Sequence, residues 1–278
     1  MKSVIIKPKS GILSAYVQYF LFFEKTDGDS LNYVTFPNNN LCLAIYKANN
    51  INYINQPEKN NCIITAGNNT FTSRFYGFHK MPLTVEINAQ LHQICIIFKP
   101  AALRAFTPES YDNLMSADDV FKIFTTKDEF ILEQIFEEVD LAKRAEKLEY
   151  ILLSNLSNDV PHQLKEALSL ISNDKHGRLT VETLANQLKI SKPSLFRLFK
   201  NHLGQNPKSY HKTIRFRHVL SDVLSKKTTL TTMAHNNHYF DQAHFINDFK
   251  MFTGYSPTQL SDKISVQQND LAWIYNKK

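Results

Sequence analysis

The chain has 278 residues, 43% of them hydrophobic and 21% charged, and a formal net charge of +6. This is globular composition without a low-complexity tract, long enough for two units of ordinary domain size. No apolar run approaches the ~20 residues of a membrane span, and the opening "MKSVIIKPKS" lacks the apolar core of an export signal. A soluble, cytoplasmic protein with no membrane partner is expected.

Up to about Pro100 the pattern is short apolar runs broken by turn residues. "LCLAIYKANN", "NCIITAG", "LTVEINAQ" and "LHQICIIFKP" are β-branched or alternating stretches ended by Asn, Gly or Pro, which predicts a β-rich unit. Cys42, Cys62 and Cys95 are an odd number, form no C-x-x-C pair and lie in apolar surroundings, so they read as buried free thiols. "TSRFYGFH" gathers Arg74, Phe75, Tyr76 and His79, either on an amphipathic strand or around a ligand pocket. From Lys127 the spacing changes. Phe130, Ile131, Ile135, Val139, Leu141, Leu148, Ile151 and Leu152 recur at helical intervals and predict one or two helices that pack back on the sheet or pair with another subunit. "SNLSNDVP" then supplies a linker, giving a first unit over 1–159, a second over 160–264 and a tail over 265–278.

Beyond the linker the chain reads as helical. Leu164, Leu168 and Ile171 mark one stripe, and Thr180 can cap a helix carrying Leu184, Ala185 and Leu188. Ser191 opens the next helix, with Pro193 in its first turn and Gly204 closing it. "SYHKTIRFRHVLSDVL" predicts a longer connecting helix. A shift of 50 residues then lays Leu195, Phe199, Lys200, Gly204 and Pro207 on Phe245, Phe249, Lys250, Gly254 and Pro257, while Ala185 meets Ala234 at a shift of 49. The second copy therefore has one more residue in its turn. A repeat of this length is a supersecondary unit used twice.

Helical spacing turns Leu195, Leu198 and Phe199 inward in the first copy and Phe245, Phe249 and Phe252 inward in the second. Lys192, Pro193, Phe196, Arg197 and Lys200 are left outside, as are Gln242, Ala243, Ile246, Asn247 and Lys250. Arg suits guanine, Gln and Asn suit adenine, and apolar groups suit the thymine methyl. Any surface helix has a polar outer face, but two such faces in a basic half favour paired helix-turn-helix units on double-stranded DNA. Lys212, Arg215 and Arg217 are further candidates for phosphate, Arg217 equally for Asp222 or Asp241.

The stretches "LANQLKISKPSLFRLFKNHLGQNPKSY" and "AHNNHYFDQAHFINDFKMFTGYSPTQL" resemble the DNA-binding domain of the AraC/XylS family of bacterial transcription regulators. The resemblance covers about 100 residues, roughly Pro161 to Lys263. It implies seven helices, two helix-turn-helix units bridged by a long helix, and recognition helices in successive major grooves of promoter DNA. It also implies RNA polymerase as a partner, a role as activator or repressor, and a sensor and dimerisation unit in front, often a cupin-like barrel taking a small-molecule effector. "FKPAALRAF" and "SADDVF" look like regulators with such a sensor. The fold class expected is α+β, a β-rich, cupin-like first domain followed by an all-α domain. Two departures stand out. His238 occupies a turn position where the family usually has Gly, and Asn247 stands where it often has Arg, beside Asp248, which would repel phosphate. The first unit is therefore expected to dominate affinity.

No enzyme chemistry, metal or cofactor is expected. His79 and His92 are the histidines of the first 159 residues and form no H-x-H pair. His235, His238 and His244 match no zinc spacing, and neither a phosphate loop nor a nucleophile elbow occurs. His244 is expected to be structural. The rival readings are a DNA-targeted enzyme of the adaptive-response type, needing a reactive cysteine, and a protein-interaction module whose basic face meets an acidic partner.

Overall fold

A computed structural model describes residues 2–56, 58–124, 128–157, 159–174, 179–225, 229–264, 266–268 and 271–276. Its first part is a curled sheet of β1 (Lys2–Ile6), β2 (Val17–Lys25), β3 (Leu31–Thr35), β4 (Leu41–Gln56), β5 (Lys59–Tyr76), β6 (Leu83–Ile87) and β7 (Leu91–Phe98). The strand order is β1-β2-β7-β4-β5-β6-β3, antiparallel except where β5 runs parallel to β6. The four strands read from the sequence fall on β4 to β7.

One bulge bends the longest hairpin. The β4–β5 register slips between Lys47 and Asn49, where Ala48 takes a left-handed φ of 59°, and such a bulge bends and twists a hairpin. Opposite it a side chain on Gly67 would meet the Asn49 backbone at 2.8 Å, so glycine is what this close approach permits. Buried Asn49 fastens the bend by donating its amide to the Gln90 carbonyl at 2.9 Å. Beyond the bend the hairpin swings over to lay Asn61–Ile64 of β5 beside β6.

Period-two alternation gives the sheet two apolar faces. Tyr19, Leu21, Tyr46, Cys62, Cys95 and Ile97 line the concave side. Phe20, Phe22, Leu43, Ile45, Ile94, Ile96 and Phe98 line the convex side, which is covered by helices. Those helices are α1 (Tyr111–Ser116), α2 (Ile131–Glu137) and α3 (Leu141–Ser154). The stripe predicted from Phe130 to Leu152 is interrupted, because Asp140 starts α3 afresh by accepting from the Ala142 N–H at 2.8 Å. Phe130 and Val139 are consequently 66% and 90% exposed rather than part of the core. Buried Glu149 of α3 accepts from the Lys9 and Ser10 N–H groups at 2.8 and 2.9 Å, clamping the N-terminal segment to the helix.

Among the described residues seven helices follow, as the resemblance implies: α4 (His162–Asn173), α5 (Val181–Gln187), α6 (Lys192–Leu203), α7 (Pro207–Ser225), α8 (Leu230–Asn236), α9 (Gln242–Thr253) and α10 (Pro257–Lys263). The 19-residue α7 is the predicted connector. The segment read as a tail contains β8 (Val266–Gln268) and β9 (Leu271–Asn276), and β9 pairs antiparallel with β3, extending the sheet.

The helices share cores with the sheet instead of keeping one of their own. One cluster runs from Phe98 and Phe106 through Leu148 and Leu164 to Leu195, Phe199 and Tyr210. A second joins Val34, Phe36 and Ile274 of the sheet side to Phe216, Phe245, Phe249 and Leu260. Each buried Leu or Phe contributes about 1.5–3 kcal/mol, so both helical units are tied to the strands by apolar burial.

Candidate nucleic-acid interface

The two repeats build the same local structure. In the first, Thr180 and Thr183 form a capping box at α5, and Ser191 accepts from the Ser194 N–H at 3.2 Å to start α6. In the second, Thr229 caps α8 and Asp241 caps α9, accepting from the His244 N–H at 2.7 Å. Gly204 and Gly254 end α6 and α9 with φ of 68° and 76°.

The turns also match. Lys189 and His238 both take left-handed backbone, φ 53° and 58°, and the residue after each donates to an alanine carbonyl, Ile190 to Ala185 and Tyr239 to Ala234. The departure expected at His238 therefore has a twin at Lys189, which sequence reasoning missed because lysine does not advertise positive φ. The extra residue of the second turn is Phe240. It follows Tyr239, precedes the cap Asp241, and is 93% exposed.

Leu195, Phe199, Phe245, Phe249 and Phe252 are buried and Leu198 is partly so. Lys192, Pro193, Phe196, Arg197 and Lys200 of α6 are exposed, as are Gln242, Ala243, Asn247 and Lys250 of α9, while Ile246 is half-buried against the second core. Several of these side chains have neighbours. Lys192 pairs with Glu182 at 3.1 Å, Lys200 with Asp112 of α1 at 3.5 Å, Arg197 donates to Ser194 Oγ at 3.4 Å, and Gln242 accepts from Thr231 at 3.1 Å. Such exposed pairs are weak and exchangeable, so all four groups remain available to a ligand on this surface.

The expectation for Asp248 is corrected. Three residues after Phe245 and one before Phe249, it lies on the buried face, where Arg215 and Lys212 of α7 reach it at 2.9 and 3.3 Å and His244 Nε2 stands 3.8 Å away. Its carboxylate is taken up by these partners, and Lys212 and Arg215 are engaged with it. The Arg215 guanidinium also stacks on Tyr239, 4.2 Å from the ring centre. Asp222 accepts from Asn237 and Asp241 caps α9. His244 sits edge-on to the Tyr239 ring at 5.3 Å, a packing role in line with the structural one expected.

Inside the curled sheet lies a cavity of about 140 Å³. Cys42, Cys62 and Cys95 line it together with Tyr76 and His79, whereas Phe75 belongs to the convex core and Arg74 stacks on Tyr53. Tyr76 hydrogen-bonds Tyr46 at 2.8 Å and Cys62 at 3.2 Å. Burial pushes both tyrosine hydroxyls well above their ordinary range and the Cys62 thiol to about 11, so these groups are protonated and the thiol is a poor nucleophile. His79 Nδ1 lies 2.6 Å from the Met81 carbonyl, and desolvation lowers its pKa to about 4. No described helix is long and apolar enough to cross a membrane.

Comparison with known proteins gives two matches along the chain. Residues 184–263 match a family described as a helix-turn-helix domain, and residues 6–118 match a domain of unknown function, DUF6597. A lactose operon transcription activator of Staphylococcus xylosus is 25% identical over 125 residues, 45% of this chain and 43% of that protein, so the chain spans under half the length of the curated relative it matches. The C-terminal domain of AraT, a response regulator from Geobacillus stearothermophilus, is 24% identical with a TM-score of 0.37, covering 40% of this chain and 93% of that one. Unsaturated fatty acid bound ToxT from Vibrio cholerae is 10% identical with a TM-score of 0.45, covering 90% of this chain and 98% of that one. With its repeated caps, turns and outward faces, the segment 184–263 is a helix-turn-helix domain.

Proposed function

We propose that the chain is a sequence-specific transcription regulator that holds promoter DNA through α6 and α9. Lys192, Pro193, Phe196, Arg197 and Lys200 form the first reading face and Gln242, Ala243, Ile246, Asn247 and Lys250 the second. The observation that carries this reading is the duplication itself: two second helices capped at matching positions, each presenting base-reading residue types to solvent, in the half of the chain with net positive charge. Phosphate contacts then come from Lys200 and Lys250, and base contacts from Arg197, Gln242 and Asn247. With Asp248 withdrawn into the ion-pair cluster, the second unit loses that opposing charge from its reading face, and both units contribute to affinity.

The curled sheet is the sensor of this scheme, its cavity taking an effector whose occupancy biases DNA binding. By analogy with the matched lactose operon activator the protein activates transcription, working with RNA polymerase as a cytoplasmic homodimer. It is not an enzyme. The buried Cys62 and Cys95, both with raised thiol pKa, and the neutral His79 are poor nucleophiles, which weighs against the alkyl-transfer rival. Selection of DNA from a random pool followed by titration tests the reading: Arg197→Ala should cost about 1–3 kcal/mol on the selected site and relax one base position. Equal affinity of parent and variant, or binding without sequence preference, refutes it and favours a basic interaction module.

A further inference from the structure

We propose that the cavity of the curled sheet binds a small uncharged ring compound bearing one hydrogen-bond donor, which the ligand gives to Oε1 of Gln93. This deepens the reading of the sheet as a sensor, on which its regulatory consequence rests.

Three observations converge. The first is size. A cavity of about 140 Å³ matches the roughly 150 Å³ apolar cavities that take up benzene, and so fits one six-membered ring with a single substituent. The second is charge. Among the described residues lining the cavity there is no Asp, Glu, Lys or Arg, and its one histidine is held neutral by desolvation. A carboxylate or ammonium ligand entering here would lose its water and meet no counter-charge, a cost that excludes it. The third is an unmet polar group. Gln93, on β7 between Phe23 and Tyr46 of the adjoining strands, is 7% exposed and lines the cavity, yet its Oε1 has no hydrogen-bond partner. The neighbouring Tyr46, Tyr76 and Cys62 are bonded among themselves. An amide oxygen accepts only, so the complementary ligand brings an O–H or N–H, and the surrounding Leu21, Ile64, Val85 and Ile97 take its hydrocarbon face.

The two ends of the reading can be separated by experiment. The full chain would be titrated calorimetrically with phenol, toluene and benzoate at neutral pH, in parent and Gln93→Leu forms, with thermal midpoints measured alongside. Phenol should bind saturably and raise the midpoint, toluene should bind roughly three- to tenfold more weakly for want of the donor, and benzoate should not bind. In Gln93→Leu the phenol preference should vanish. Should that variant fail to fold, the ranking of the three probes on the parent still decides. Benzoate binding as tightly as phenol, phenol affinity unchanged in Gln93→Leu, or no saturable binding of any probe overturns the proposal. Phenol binding that leaves the affinity for selected DNA unchanged supports this ligand class and overturns the sensor role, whereas a DNA response to benzoate alone overturns the ligand class and leaves the sensor role standing.

Discussion

The ring of Tyr111 fills the space that a side chain on Gly204 would need. Its hydroxyl accepts from the Phe78 N–H at 2.6 Å and presses on Gly77, which lines the cavity mouth. A single tyrosine thus touches both the rim of the cavity and the end of α6. Gly204→Ala should lose the left-handed allowance, about 1–2 kcal/mol, and also collide with Tyr111. Gly254→Ala, with nothing within 4 Å of the added carbon, should lose only the first. Denaturant titration should rank Gly204→Ala as the more damaging, and equal losses would show that the wedge is not tight. Tyr111→Phe should cost about 0.5–1.5 kcal/mol through the hydrogen bond alone.

The Asp248 cluster predicts a coupled pair. Asp248→Ala leaves Arg215 and Lys212 facing each other at a largely buried site and should destabilise by about 1–3 kcal/mol. Arg215→Ala should cost a similar amount, and the double variant much less than the sum. Additive losses in unfolding titrations would mean that the two side chains act independently. Neither variant should change which bases are preferred, since Asp248 is buried beneath the proposed reading face.

At Lys189 the backbone decides. With φ of 53°, Lys189→Gly should be tolerated to within about 1 kcal/mol, whereas Lys189→Val forces a β-branched residue into the left-handed region at a cost of about 1–2 kcal/mol. Thermal midpoints of the two variants check this, and a harmless valine would contradict the turn geometry. The same contrast is expected at His238.

The protein should lose stability on mild acidification. The pKa of His79 is lowered from 6.5 to about 4 by desolvation, opposed by its bond to Met81. The unfolded chain therefore takes up the proton first. The contribution of His79 is complete above about pH 6.5 and is lost as pH falls towards 4, roughly 1–3 kcal/mol in all. His202 and His211, both lowered chiefly by burial, act in the same direction. Unfolding titrations from pH 7 to 4 should show a shallower decline for His79→Gln than for the parent. An unchanged slope would place the titration elsewhere.

How much of this was legible in the sequence depended on whether the signal was local. Caps, turns and helical faces are written within a few residues, which is why Thr180, Ser191, Pro193 and Gly204 were read in place. The repeat also located its own extra residue. Asp248 was misread by weighing its charge against DNA instead of its position between Phe245 and Phe249. Strand β2 went unread because "VQYFLFFEK" is apolar on both faces, burying one side in the cavity and the other under helices, so no alternation marks it. The bulge at Ala48, the wedge at Tyr111 and the pairing of β9 with β3 each join residues far apart in the chain, and no local pattern announces them.

The pairing of β9 with β3 reaches into how the protein is made. β3 leaves the ribosome early and β9 after every described helix, so this border of the sheet cannot close until the helix-turn-helix segment has been synthesised between them. Until then Val34 and Phe36 lack Ile274 and the aromatic residues they pack with. Maturation of the second helix-turn-helix unit is thereby tied to completion of the strand layer. The finished helices are fastened to that layer at both ends, like a handle riveted to one plate.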